Sequence, residues 1–99
     1  MDASELLKRY AVGERDFSGV SLCEVDLMKA NLSSVVLRGA NMREAYLREA
    51  NMRGTNMRGT NLSKAQFITP EQVDTAITDA TTILPDNLKQ LTEASQDKS

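Results

Sequence analysis

The chain has 99 residues, of which 40% are hydrophobic and only 4% aromatic, and its net charge is −2. This length allows one small domain, and we expect residues 1–99 to form it. The chain has no histidine and a single cysteine, Cys23, so it lacks the commonest general base and metal ligand and cannot form an internal disulfide. We therefore predict no catalytic residue, no cofactor and no metal site. No apolar run is long enough to span a membrane, and the single thiol favours the cytoplasm.

The first predicted element is an N-terminal helix within residues 1–14. Asp2 followed three residues later by Glu5 is an N-cap signal. Gly13 is a typical stop signal. Between them lies an apolar stripe at helical spacing, formed by Ala3, Leu6, Leu7 and Tyr10. We predict that this helix caps the structure that follows it.

The second predicted element is a coil built from a five-residue repeat. Five residues turn an α-helix by about 500°, so a helix would spread the repeated residues over all its faces. A small or β-branched residue stands two positions before nearly every large one, and residues two apart share a face of an extended chain. We predict short extended stretches joined by corners, with both apolar residues of each unit pointing inward and the coils stacked around one core. The predicted core residues are Phe17, Leu22, Leu27, Leu32, Leu37, Met42, Leu47, Met52, Met57, Leu62 and Phe67.

These units resemble those of a known family. Ala40-Asn41-Met42-Arg43-Glu44 and Ala50-Asn51-Met52-Arg53-Gly54 are similar to the A-(D/N)-L-x-x consensus of pentapeptide repeat proteins, and residues 6–17 resemble the opening of cyanobacterial members. The resemblance implies an all-β fold, a right-handed quadrilateral β-helix with four units per coil. The eleven repeats of residues 15–69 would then form about 2.75 coils. Periodicity alone does not choose four sides over three.

The last predicted element is a C-terminal helical cap over residues 70–91. Thr69 is a good N-cap, Pro70 suits the first turn, and Gln72 completes a capping box. An apolar stripe continues the helix, and three leucines are expected to pack back against it; these residues are Val73, Ala76, Ile77 and Ala80, then Leu84, Leu88 and Leu91. The polar residues 92–99 are predicted to be disordered. Because both ends of the coil are capped, we expect a monomer.

The main functional signal is a set of arginines that we call the arginine series. Each follows the central apolar residue of its unit, and they are Arg38, Arg43, Arg48, Arg53 and Arg58. Residues 15–69 carry a net charge of +3, whereas residues 70–99 carry −4. Five successive units around a four-sided coil place the arginines on every side, and only Arg38 and Arg58 share one. We interpret the series as a possible partner surface.

Three hypotheses for function follow. The first is a non-enzymatic interaction or scaffold module whose partner is an unidentified protein. The alternative is polyanion or nucleic-acid binding through the arginine series, which predicts affinity that falls with salt; the lack of an exposed aromatic series makes nucleic acid a less favoured partner. The third is implied by the resemblance, because some relatives mimic DNA and bind gyrase or topoisomerase IV. That mimicry needs acidic faces, and the repeat region here is net positive.

Overall fold

The structure is a computed structural model, and it describes residues 1–91. It contains helix α1 (Ala3–Ala11), helix α2 (Pro70–Thr75) and a 3-10 helix (Asp86–Leu88). Within the described range the β-structure consists of isolated parallel bridges, each joining one pair of residues. Short extended pieces between corners are what the five-residue unit predicts.

The bridges set the length of a coil. Asp16 pairs with Val36, and Val36 pairs with Asn56, so paired residues are 20 apart. The same offset recurs in four columns, which begin at Asp16, Ser21, Asp26 and Asn31. Each coil therefore contains four five-residue units, and the chain has a β-helix-like repeat fold. Backbone hydrogen bonds join successive coils, as where the Phe17 N–H donates to the Val36 carbonyl at 2.8 Å.

A β-turn forms the corner of each unit. The Val20 N–H donates to the Phe17 carbonyl at 3.3 Å, and the same bond recurs in ten consecutive units up to Ala65 and Leu62. The third residue of each turn has a positive φ and the second does not, which defines a type II turn. Four of these third residues are glycines, and the other six are Glu24, Lys29, Ser34, Glu44, Glu49 and Lys64.

The polar residue before each central apolar residue supports the corner from outside. In seven units an Asp or Asn side-chain oxygen accepts the backbone N–H two residues later. The bond from the Arg43 N–H to Asn41 Oδ1, at 3.1 Å, is one example. These Asx turns satisfy a donor that would otherwise lack a partner within the turn. They are a physical reason for the Asp or Asn in the repeated unit.

Lys64→Gly is expected to raise the free energy of unfolding by about 0.5–1 kcal/mol. Lys64 is exposed and has a φ of 58°, a conformation that costs a non-glycine residue about 1–2 kcal/mol, partly offset here by the chain entropy of glycine. Urea denaturation measures the change. Ser63→Gly is the control, because Ser63 does not have a positive φ and its replacement should lower stability. A fall for both variants would contradict the turn assignment.

The core contains the predicted residues with one exception. Ten of the eleven are no more than 1% exposed. The prediction for Phe67 is wrong, because Phe67 is 53% exposed and Ile68, at 7%, lies inward instead. Phe67 has a φ of 62°, and this left-handed residue reverses the two side chains where the chain leaves the coil to begin α2. The small inward position is threonine at Thr55 and Thr60, whose buried hydroxyls donate to carbonyls of the coil before.

Helix α1 covers the first coil. Leu6 is fully buried against the core, but Leu7, which the helical spacing also placed inward, is exposed. The Tyr10 hydroxyl lies 3.0 Å from the Ser33 carbonyl and donates to it. This bond ties the helix to a corner of the coil.

The C-terminal segment differs from the predicted helical cap. Helix α2 ends at Thr75, and the chain then returns to the coil, where Ile77 bridges to Asn56 and Ile83 bridges to Asn61. The prediction of a helix to Ala80 is wrong. Residues 75–83 contain six β-branched residues, which favour extended structure over helix. The final leucines, expected against the helix, lie in or against the core cluster that also contains Val73 of α2; Leu84 and Leu88 are buried and Leu91 is partly buried. The predicted disordered tail, residues 92–99, lies outside the described residues.

The Gln72 side chain supplies hydrogen bonds to the coil where α2 interrupts the backbone ladder. In the preceding coil the Asn51 N–H donates to the Ala30 carbonyl. One coil later the chain is helical, and Gln72 Nε2 donates to the Ala50 carbonyl at 3.0 Å and to the Leu47 carbonyl at 2.7 Å. The capping box with Thr69 is present, as predicted, and it orients this side chain. The Leu47 carbonyl also accepts the Ala50 N–H within its turn, so the carbonyl for which Gln72 replaces the missing backbone donor is that of Ala50.

Candidate interaction surface

The type II turns position the arginine series. Each arginine is the second residue of its turn, and its side chain is exposed at a corner. The Arg58 carbonyl accepts the Gly39 N–H at 3.0 Å, and the Arg38 carbonyl accepts the Gly19 N–H at 2.9 Å. Arg38 and Arg58 therefore stack on one corner in successive coils, and the other three arginines lie one each on the remaining corners.

The arginines have different neighbours. Arg43 pairs with Glu44 at 3.0 Å. The Arg48 guanidinium lies 5.0 Å from the centre of the Phe67 ring, and Arg58 Nε lies 3.9 Å from Asp79 Oδ2. Arg38 and Arg53 form no ion pair among residues 1–91. The series is thus a set of distinct local environments and not a uniform basic ring.

Asp79 joins the corner that holds Arg38 and Arg58. Its Oδ1 accepts the Thr81 hydroxyl at 2.5 Å and the Thr81 N–H at 2.9 Å. These hydrogen bonds, followed by the nearby charges of Arg58 and Arg38, hold the pKa of Asp79 below its ordinary value. Sequence reasoning missed Asp79 because it placed this segment in a helix. The available signal was an Asp two residues before a hydroxyl residue, the same spacing as Asp16 and Ser18.

Comparison with known proteins identifies the family. The family model for pentapeptide repeats matches residues 15–43 and 40–68, with eight copies of the repeat. The chain belongs to the pentapeptide repeat family.

Two solved structures are similar to this pentapeptide repeat protein. HetL, a pentapeptide repeat protein involved in heterocyst differentiation regulation from the cyanobacterium Nostoc sp. strain PCC 7120, is 35% identical with a TM-score of 0.65; the match covers 66% of this chain and 27% of HetL. The pentapeptide repeat protein Rfr23 from the cyanobacterium Cyanothece 51142 is 29% identical with a TM-score of 0.61; the match covers 70% of this chain and 46% of that protein. The chain thus spans less than half of either structure. No curated protein sequence matches it.

The described part of this pentapeptide repeat protein offers little reactive chemistry. Across residues 1–91 no group of acidic or cysteine side chains is arranged to hold a metal ion. Every buried side-chain nitrogen or oxygen in that range has a hydrogen-bond partner. Cys23 is a free, exposed thiol, 3.9 Å from the Ser21 hydroxyl. None of the described helices has both the length and the apolar character needed to cross a membrane.

Sequence reasoning also missed the exposed apolar side chains of this pentapeptide repeat protein. Phe67 is exposed beside Arg48, and Met28, exposed one coil earlier, occupies the same corner as Arg48. Ile77 and Ile83 are exposed in outward positions that earlier coils fill mostly with polar residues. The exposure of Phe67 follows from the reversal at that residue, and the exposure of Ile77 and Ile83 follows from the return of the chain to the coil; neither event is part of the repeat. Met28 is the second residue of an ordinary repeat turn.

Proposed function

We propose that this pentapeptide repeat protein is a non-enzymatic interaction or scaffold module that acts as a monomer and docks another protein on its outer surface. The observation that carries the proposal is the separation of inward and outward positions. Ten central residues of the repeats are at most 1% exposed, so they pack and perform no chemistry. The variable, charged residues stand on rigid turns at the corners, where a partner can reach them. The proposal includes the finer architecture that the family implies, a right-handed quadrilateral β-helix of about 2.75 coils with a cap at each end.

A regulatory role exerted through binding is compatible with this proposal. HetL is a pentapeptide repeat protein involved in heterocyst differentiation regulation, and regulation of that kind requires contact with other molecules. For this chain we propose the contact alone. DNA mimicry towards gyrase or topoisomerase IV is not part of the proposal, because residues 15–69 carry a net positive charge.

An affinity capture from the source cell, with the tagged chain as bait, tests the proposal. We expect one protein in stoichiometric amount with the wild-type chain. Each arginine of the series is then replaced separately by Glu. Loss of the partner is expected for the one or two arginines in the interface and not for the others, because the five lie on four different corners. Lys29→Glu gives a control with the same change in charge at an exposed turn residue.

Absence of a stoichiometric partner with the wild-type chain would contradict an interaction module. Equal weakening by all five arginine variants and by Lys29→Glu would instead indicate binding by overall charge. That result favours the second candidate, polyanion binding, which the net charge of +3 in residues 15–69 supports. A labelled 20-nucleotide single strand tests it directly, because counterion release makes such binding fall steeply as salt rises.

A further inference from the structure

The corner that carries Arg38 and Arg58, which we call the arginine pair corner, is open to approach. The next turn residues on this corner are the glycines Gly19, Gly39 and Gly59. A Cβ atom added at Gly19 or Gly39 would meet nothing within 4 Å. A Cβ atom added at Gly59 would lie 3.8 Å from the Thr81 hydroxyl. The corner is therefore open beside Gly19 and Gly39 and is bordered by the Thr81 side chain at Gly59.

A carboxylate of the chain itself lies at the end of this corner. Val36, Asn56 and Ile77 are bridged in one column. Arg38, Arg58 and Asp79 each come two residues after a member of that column, so Asp79 lies in the coil next to Arg58 at the position that Arg58 occupies relative to Arg38. Its two bonds from Thr81 hold the carboxylate in place. The contact with Arg58 Nε is loose at 3.9 Å, and the side chains are 44% and 42% exposed. Exposed ion pairs of this kind are weak, so another anion can replace Asp79.

We propose that the arginine pair corner binds carboxylates of an acidic segment of a partner protein, and that Asp79 occupies part of this site until the partner displaces it. The inference rests on the proposed function and adds the chemistry of the partner and an internal competitor. Charge complementarity supports it: the corner holds two cations and one carboxylate, and Arg38 has no ion pair among residues 1–91.

The corner favours carboxylates of a protein over a nucleic-acid strand. Arginine forms paired hydrogen bonds with carboxylates and with phosphates alike, so the preference rests on the anion already beside Arg58, which is a carboxylate. Single-stranded nucleic acid is usually held by aromatic rings that stack on the bases. The exposed ring of Phe67 lies at the corner of Arg48, 5.0 Å from that guanidinium, and not at the arginine pair corner.

Fluorescence anisotropy with a labelled hexaglutamate peptide at low salt tests the inference. We expect Asp79→Asn to bind the peptide about two- to five-fold more tightly than the wild type, because the competing charge is gone while the amide oxygen still accepts from Thr81. The double variant Arg38→Gln, Arg58→Gln is expected to bind about ten-fold more weakly or not at all. Circular dichroism verifies that both variants remain folded.

Matched variants separate the corner from net charge. The double variant Arg43→Gln, Arg53→Gln also removes two positive charges, but from other corners. Glu49→Gln removes one negative charge, as Asp79→Asn does, but away from the arginine pair corner. Both controls are expected to bind hexaglutamate within about two-fold of the wild type. Equal effects of test and control variants would overturn the inference, as would tighter binding of a 20-nucleotide single strand with the same dependence on Arg38 and Arg58.

The inference and the proposed function fail separately. If the cellular partner is recovered equally well with the Arg38→Gln, Arg58→Gln variant, the interaction function stands and the arginine pair corner is not the interface. If no partner is recovered with any variant, the proposed function fails even where hexaglutamate binds.

Discussion

Leu47→Ala is expected to lower the free energy of unfolding by about 2–5 kcal/mol, through lost burial and the cavity left behind. Leu47 is fully buried in the middle coil, with Leu27 in the coil before it. Domains are stable by only about 5–15 kcal/mol, so this single change removes a large part of the total. Thermal or urea denaturation, followed by circular dichroism, measures it.

The neighbouring exposed position provides the control for Leu47. Arg48→Ala should change stability by less than about 0.5–1 kcal/mol, because it loses only surface contacts and its stacking on Phe67. Ala45→Leu tests the small inward position, which is fully buried, and overpacking there should cost about 1–3 kcal/mol. A Leu47→Ala protein as stable as Arg48→Ala would show that the coil does not pack as described.

The second large effect is expected where the repeat ends. Ile68→Ala should cost about 2–5 kcal/mol, because Ile68 fills the core position at the exit from the coil. Phe67→Ala should cost less than about 1 kcal/mol, because its exposed ring loses mainly the contact with Arg48. Urea denaturation of both variants gives the comparison.

This pair of variants distinguishes the structure from the repeat pattern. Extending the five-residue spacing places Phe67 in the core and makes Phe67→Ala the costlier change. The structure reverses the order. A larger loss for Phe67→Ala than for Ile68→Ala would restore the inward position of the ring and contradict the left-handed conformation at Phe67.

The repeat region was predictable because every unit has the same structural requirements. Each needs two inward apolar residues two positions apart and a corner between units, so one unit predicts the next from Phe17 to Leu62. The number of units per coil, four, came only from the family resemblance, and the bridges between residues 20 apart agree with it. The five-residue period alone could not give this number, because the apolar residues of each unit point inward whether the coil has three corners or four.

The ends were not predictable from the repeat. At residues 73–80 the apolar spacing favours a helix, whereas the β-branched residues favour extended structure. The edge of the last coil offers backbone hydrogen bonds to Ile77, and these stabilise the extended structure. The partners of Ile77 and Ile83 are 21 and 22 residues away instead of 20, so no fixed period locates them. Asp79 reaches Arg58 only because this return to the coil occurs. A site that depends on it is therefore invisible to sequence periodicity.

The coil length of 20 residues constrains how the chain can change its length during evolution. Duplication or deletion of one whole coil keeps every column aligned and leaves the segments before and after the repeats on the same sides of the coil. Duplication or deletion of a single unit also preserves the alternation of inward and outward residues, yet it rotates everything beyond it by one side. Between residues 38 and 58 such a change would move Arg58 to a different corner from Arg38. The packing is therefore compatible with insertions or deletions of five residues. A function that needs two residues on the same corner is compatible only with insertions or deletions of 20 residues between them.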